Sequence, residues 1–259
     1  MTQPPFIVFT DLDGTLLDHA SYSYDAALPA LAALKDLGVP VILASSKTGP
    51  EIAVLRDELG LAACPAIVEN GAGLLPAHAA PEVGGHAYRD LRRALDVLPP
   101  ALRGSFRGFG DLGPHGVAEN AGLPPEQAAM ACRRSFSEPG IWSGSAADEA
   151  AFVAVLAKSG ISARRGGRYL TLSHGGTKAD RMVEVAAQYG AGRSVALGDA
   201  PNDAEMLASA DIGIVIANPH GNALPDLAQI ARGEIRRSTK FGPEGWNEMM
   251  LPLLSEWAL

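Results

Sequence analysis

Residues 8–18 read VFTDLDGTLLD. An apolar run ends in two aspartates, Asp11 and Asp13, followed at once by Gly14 and Thr15. Phe6–Thr10 has the length and apolarity of a short buried strand, so the pair stands where that strand ends. In an open parallel sheet, ligands bind beyond the carboxyl ends of the strands. One Asx residue is enough to close a solvated turn. Two of them in fixed order with glycine and threonine call for a further reason.

Working outward, residues 25–37 place Leu28, Leu31, Leu34 and Leu37 at spacing three, which predicts a helix that Gly38 stops. Val39–Ala44 predicts a second strand. Pro50 suits the first turn of a helix whose Ile52, Leu55 and Leu59 face inward and which Gly60 ends, and Ala66–Val68 predicts a third strand. This β-α-β-α-β order is the pattern of a parallel sheet covered by helices. From 76 to 125 the chain is rich in Pro, Gly and Ala, and mixed helix-like and strand-like pieces follow to 172. The α/β rhythm returns at Thr177 with a helix carrying Met182, Val183, Ala186 and Tyr189 on one face. A strand over Ser194–Leu197, a helix over Ala204–Ala208, a strand over Ile212–Ile216 and a helix over Ala223–Ala231 are then expected. The expected organisation is an α/β protein with a Rossmann-like parallel-sheet core, residues 1–80 and 173–259, and an inserted α+β domain, residues 81–172. Gly84-Gly85 and Gly175-Gly176 lie in the two linkers and are expected to let the insert swing over the core.

The residues that follow each predicted strand are small, polar or charged. They are Asp11, Asp13, Gly14 and Thr15; then Ser45, Ser46 and Lys47; then Glu69, Asn70 and Gly71; then Gly198, Asp199, Asn202 and Asp203. Carboxylates gathered on one rim repel and raise one another's pKa, and all stay ionised only with a cation among them. Hard oxygen donors in that number suit Mg²⁺ shared with a substrate phosphate. Lys178 enters a helix at its first turn, where a cation is disfavoured by the helix dipole, and could add positive charge. Asp11 can then attack phosphorus as a nucleophile. Asp13 can protonate the leaving oxygen and later deprotonate water. The backbone around Gly14 and the hydroxyl of Ser45 can cradle phosphoryl oxygens.

DLDGT, the SSK at 45–47, Lys178 and GDAPND at 198–203 resemble, in this order, the four motifs of the haloacid dehalogenase superfamily. The split core resembles members with a C2-type cap, and GD-x-x-ND the Cof-like branch, whose cap is of the C2B kind. SSKT at 45–48, ENGAG at 69–73, FSEP at 136–139 and GPEGWNE at 242–248 are similar to mannosyl-3-phosphoglycerate phosphatases. The resemblance implies a Mg²⁺-dependent phosphatase acting on a small phosphorylated sugar, releasing mannosylglycerate, a compatible solute. It implies metal ligands Asp11, the Asp13 carbonyl and Asp199, with Asp203 beside them. Phosphatases of glucosyl-3-phosphoglycerate or sucrose phosphate, phosphomutases and a non-catalytic phosphometabolite sensor are the alternatives. A substrate carrying a carboxylate as well as a phosphate would suit arginines of the insert; Arg134 and Arg168 are the candidates, with Glu138 for sugar hydroxyls. Gly14, Ser46, Lys47, Asn70 and Asn202 complete the expected substrate contacts, Asn202 by orienting Asp199 or Asp203.

Composition excludes other classes. The net charge of −8 argues against a nucleic-acid binder. No apolar run reaches bilayer length, and MTQPP at the start has neither a basic nor an apolar region of a secretory signal, so a cytoplasmic protein is expected. Cys64 and Cys132, without metal-type spacing, are expected to be reduced thiols. Trp246 is expected to be a packing anchor and His174 a surface residue.

Overall fold

The computed structural model describes residues 4–166, 168–219 and 224–257. The chain begins with β1 (Ile7–Thr10), α1 (Leu28–Asp36), β2 (Val41–Leu43), α2 (Gly49–Glu58), β3 (Ala66–Val68) and β4 (Gly73–Leu75). There follow α3 (His86–Asp96), α4 (Pro100–Gly104), β5 (Phe106–Gly108), α5 (Phe109–Ala121), α6 (Pro125–Ala131), β6 (Ser137–Trp142), α7 (Ala146–Ala157), β7 (Ser162–Gly166) and β8 (Tyr169–Ser173). The last part holds α8 (Lys178–Tyr189), β9 (Ser194–Gly198), α9 (Ala204–Ser209), β10 (Ile212–Ala217), β11 (Glu234–Phe241) and α10 (Gly242–Glu256).

The core sheet runs β11-β10-β9-β1-β2, with every pair parallel. β3 joins beside β2 through a single parallel bridge, Ala44 with Ile67, and turns back antiparallel into β4. All four residues of β1 are buried, as expected for a strand covered on both faces. One cover packs Leu34, Ile52, Trp246 and Met250 against Phe6, Val8 and Leu43. The other packs Met182, Val185, Met206 and Leu207 against Ile7, Phe9 and Ile42. Strand order reverses between β1 and β9, the switch point at which such sheets open a crevice for a ligand. The α2 N-terminus is fixed by Thr48, whose side chain and backbone exchange hydrogen bonds with Glu51. Thr177 and Asp180 make the same box at the start of α8.

A second sheet, β5-β6-β8-β7, is antiparallel throughout. Leu91, Leu95, Phe152 and Leu156 of α3 and α7 pack on one of its faces against Phe106, Leu170 and Leu172. By the registers, Ser137, Pro139, Thr171 and Arg164 belong to the opposite face.

Several expectations are corrected. Leu28 is 46% exposed and Val183 61% exposed. Leu34 and Met182 are buried as expected, and Ala27, Ala30 and Val185 join them in place of Leu28 and Val183. A strict spacing of three drifts off one face of a helix with 3.6 residues per turn, about half a turn over three steps. Over Leu224–Ala231 there is one 3-10 turn, Leu227–Gln229, rather than a helix; Ala223 lies outside the described residues. The sequence reading has no counterpart for β4, β11 and α10. β11, EIRRSTKF, escapes it because it is an edge strand with mostly exposed, charged positions, the pattern that guards a sheet edge. Trp246 is fully buried, and its Nε1–H donates to Thr10 Oγ1 at 3.0 Å. Both cysteines are free. No helix of the described residues is long and apolar enough to cross a membrane.

Candidate active site

A cavity of about 1510 Å³ is lined by Leu28, Leu31, Leu59, Cys64 and Tyr189 and opens where the core strands begin. The polar residues singled out in the sequence gather at the other end. There, β1 passes into a tight turn in which the Gly14 N–H donates to the Leu17 carbonyl and the Thr15 N–H to the Leu12 carbonyl. Gly14 has φ +85°, and a Cβ on it would come within 2.8 Å of Asp199 Oδ2 and 2.9 Å of Asn218 Nδ2. Only glycine combines that backbone with that proximity.

Asp11, Asp199 and Asp203 are buried, and one oxygen from each lies within 4.8 Å of the others. Lys178, also buried, bridges two of them: its Nζ donates to Asp11 Oδ1 at 2.6 Å and to Asp203 Oδ1 at 2.7 Å. The other Asp203 oxygen accepts from the Asp199 and Ala200 amides, so both of its oxygens are engaged. Asp199 is held on both oxygens by neutral donors, the Thr15 hydroxyl at 2.6 Å and the Asn218 amide at 2.6 Å.

Burial pushes the Asp11 carboxyl well above the ordinary carboxylate range, and Asp203 and Asp199 push it further, against the opposing pull of Lys178. Burial also raises Asp199, although its hydrogen bonds from Thr15 and Asn218 work the other way. Burial alone would lower Lys178, but the charges of Asp11 and Asp203 outweigh it and hold the ammonium above its ordinary value. Three buried carboxylates thus face one buried ammonium. The residues fit a divalent cation: the donors are hard oxygens, they converge, and their negative charge exceeds the local positive charge.

Asp13 points away from this trio. Its Oδ2 pairs with Lys47 Nζ at 3.0 Å, while its Oδ1 is buried and has no hydrogen-bond partner. Lys47 also lies 5.2 Å from the Tyr22 ring. Burial would lower its pKa, but Asp13 reverses the direction and raises it. Ser45 is buried, and its Oγ accepts from the Lys47 amide at 3.2 Å. It does not cap α2, because Thr48 does. Ser46 is exposed beside it. Asn202 donates to Asn70 Oδ1 at 3.3 Å rather than to Asp199 or Asp203, so it joins the rims of β3 and β9 instead of orienting a carboxylate.

The insert candidates have partners within the protein. Arg134 is buried; it donates to the carbonyls of Ser46, Ala131 and Ser137 and pairs with Glu69. Glu138 is fully buried, taking hydrogen bonds from Tyr88 Oη, Arg92 and the Gly110 amide. It neighbours Leu172 across β6 and β8, on the helix-covered face. Arg168 donates to the Asn120 carbonyl. His174 is exposed. Gly84, Gly175 and Gly176 all have positive φ, so both linkers turn on left-handed glycines.

Asn218 is a site residue the sequence reading missed. It follows β10 directly, and the same strand-end rule that collected the other residues would have found it. Glu69 was collected, but without a role.

The pattern of the haloacid dehalogenase-like hydrolase family matches residues 8–80 and 155–236. A relative from Methanococcoides burtonii, named a glucosyl-3-phosphoglycerate/mannosyl-3-phosphoglycerate phosphatase, is 32% identical over 96% of this chain and 97% of its own. A solved phosphatase of the haloalkanoate superfamily from Bacteroides thetaiotaomicron aligns with a TM-score of 0.68 at 18% identity, over 99% of this chain and 96% of that one. A solved sugar phosphatase of subclass IIB aligns at 0.62 and 16%, over 97% and 98%. At those identities the two structures bear on the fold alone.

Proposed function

This chain belongs to the haloacid dehalogenase-like hydrolases, and on that footing we propose that it is a phosphatase of hexosyl-3-phosphoglycerates, with mannosyl-3-phosphoglycerate as the first substrate and the glucosyl ester as the second. The M. burtonii relative, whose name covers both esters, supports the substrate class. The observation that carries the chemistry is the buried trio Asp11, Asp199 and Asp203 with a single ammonium between two of them.

In this reading Asp11 is the nucleophile. Lys178 engages its Oδ1, which leaves Oδ2 to attack phosphorus in line and form an aspartyl-phosphate. Asp13 gives a proton to the leaving oxygen of the sugar-glycerate, then takes one from the water that hydrolyses the acyl phosphate. Lys47, paired with Asp13, holds that carboxyl at the mouth of the site. Ser45 and the Leu12 and Asp13 amides, ahead of the Gly14 and Thr15 amides that close the turn, receive phosphoryl oxygens. A divalent cation, Mg²⁺ by donor type, would be held by Asp11 and Asp199 with the Asp13 carbonyl, and when bound supplies charge neutralisation for the phosphate. Asp203, with both oxygens engaged, orients Lys178 and the Asp199 backbone. The insert, residues 81–172, is read as the domain that selects the organic part of the substrate.

The test is phosphate release from mannosyl-3-phosphoglycerate, glucosyl-3-phosphoglycerate and sucrose 6-phosphate in the presence of Mg²⁺. Release from the first two ahead of the third is expected. An isomerised sugar phosphate without free phosphate would overturn the hydrolytic reading in favour of a mutase.

A further inference from the structure

Glu69 is the one rim carboxylate with no part in the proposed chemistry, yet its side chain is fully buried. It belongs to the core by position, directly after β3, and to the insert by contact. Oε1 accepts from the Ser135 amide at 2.9 Å. Oε2 accepts from the Phe136 amide at 3.2 Å, the Ser137 amide at 2.7 Å and the Ser137 hydroxyl at 2.7 Å. The Arg134 guanidinium stands 3.2 Å from Oε2. Five donors from four consecutive insert residues therefore close on one carboxylate, in a dry setting where such bonds are strong and specific in direction.

The same knot reaches the phosphate side of the rim. Arg134 also donates to the Ser46 carbonyl at 3.2 Å. The Glu69 amide donates to the Lys47 carbonyl and the Asn70 amide to the Ser45 carbonyl. Glu69 and Asn70 both have left-handed backbone, φ +52° and +58°. For a glutamate such a conformation persists only where its surroundings over-determine it. The Phe136 ring lies within 2.2 Å of where a Cβ on Gly73 would stand, so the β4 turn gives the insert a flat seat. By contrast, the Arg164–Glu205 contact between β7 and α9 is an exposed ion pair at 3.3 Å, of little energetic weight.

We propose that Glu69 is a positioning residue: it pins the Arg134–Ser137 segment of the insert to the core rim and thereby sets where the insert stands over Asp11. Ser137 shares its sheet face with Pro139, Thr171 and Arg164, so fixing Ser137 fixes the tilt of that face. The inference rests on the phosphatase reading. An ester that reaches Asp11 with little contact to the insert should be indifferent to Glu69, whereas one spanning core and insert should depend on it.

The experiment compares the wild type with Glu69→Ala, Glu69→Gln and Ser137→Ala on two esters, p-nitrophenyl phosphate and mannosyl-3-phosphoglycerate, with amide hydrogen exchange measured alongside. For Glu69→Ala, kcat/KM on the large ester should fall about a hundredfold, mainly through KM, the scale of a loss of placement far from the bond broken. On p-nitrophenyl phosphate it should stay within about threefold, since that ester draws little on placement. Glu69→Gln keeps one acceptor oxygen and should fall between. The Ser135 and Ser137 amides should exchange faster in Glu69→Ala, while Leu170 and Leu172 in β8 keep their protection. Equal loss on both esters, no loss on either, or unchanged exchange at Ser135 and Ser137 would each overturn the proposal. If Glu69→Ala does not fold, Glu69→Gln and Ser137→Ala must show the same split in smaller measure, and its absence overturns it. If the wild type hydrolyses neither ester, the phosphatase reading falls by itself and the anchor is judged on exchange alone.

Discussion

Carboxylates are buried in two regions of this protein, and they are buried differently. In the insert, buried Glu138 receives Tyr88, Arg92 and the Gly110 amide, and the more exposed Asp111 beside it receives Arg92, Arg103 and the Gly108 amide. Both have an arginine to match their charge. At the core rim, three acids, Asp11, Asp199 and Asp203, face one lysine, which pairs with Asp11 and Asp203 alone. Burial costs both regions free energy, but only the rim leaves negative charge uncompensated. Matched charge marks an acid that holds the fold, and unmatched charge marks an acid that waits for a ligand.

The sharpest way to break this contrast is Asp11→Asn. Phosphate release should fall by about 10⁴-fold or more, as expected when a nucleophile is removed. The melting temperature should hold or rise, because a desolvated carboxylate repelled by Asp203 and Asp199 has been neutralised. Near-normal turnover, or a collapse of the fold, would place Asp11 with the structural acids. Chelation is the next test. EDTA should abolish phosphate release, and Mg²⁺ should restore it. Mg²⁺ at a hundred times its Kd should stabilise the protein by about 2.7 kcal/mol, visible as a rise in melting temperature. Asp199→Asn should lose most of that rise. A rise that survives the substitution would mean the cation sits elsewhere.

Much of the rim was legible in the sequence because a parallel sheet converts order along the chain into position in space. Each strand's end lies at the same edge, so short polar stretches after apolar runs locate the site without any knowledge of contacts. Asp11, Ser45, Asn70, Asp199 and Asp203 follow from that rule, while Lys178 stands out as a cation in the first turn of a helix. Asn218 would have followed as well, had the list continued to β10. The insert resists such reading, because antiparallel strands put neighbouring residues on opposite faces and the register decides which. Glu138 and Ser137 are adjacent in sequence, yet one neighbours Leu172 among the helices and the other meets the core. Arg134 and Arg168 looked alike as free guanidiniums; the fold engages both with carbonyls. The role of Glu69 was illegible for a related reason: its partners are the amides of residues 135–137, and nothing in a sequence marks an amide as waiting for a carboxylate.

The contrast is sharpened from the other side by Glu138→Ala. Arg92 and Tyr88 lose a fully buried partner, and leaving such donors unmet costs about 2 to 3 kcal/mol. Thermal or urea unfolding should register that loss. Phosphate release from p-nitrophenyl phosphate should stay within about threefold, the margin expected when no transition-state contact is removed. This is the mirror image of Asp11→Asn: stability falls and chemistry stays. If Glu138→Ala instead abolished turnover while leaving stability intact, the rule that charge-matched acids are structural would fail at its clearest example.

The smallest expected effect concerns acid, and it divides the two insert acids from each other. Burial works to raise the Asp111 carboxyl, but Arg92, Arg103 and the Gly108 amide outweigh it and leave the group below its ordinary value of 3.8. The unfolded chain therefore takes up a proton before the folded one does. Asp111 adds stability that is full above pH 3.8 and is lost as pH falls through its depressed folded pKa. Glu138 runs the other way. Burial holds it above its ordinary 4.5 despite Tyr88, Gly110 and Arg92, so the folded chain keeps its proton longer, and stability declines as pH rises from 4.5 through the raised value. Asp111→Asn should thus flatten the acid limb of a melting-temperature profile below pH 4, by no more than about 4 °C, the size of about 1 kcal/mol in a chain of this length. Glu138→Gln should remove the opposing decline just above pH 4.5. An Asp111→Asn profile parallel to the wild type at every pH would mean that the two arginines hold Asp111 no more tightly than water does.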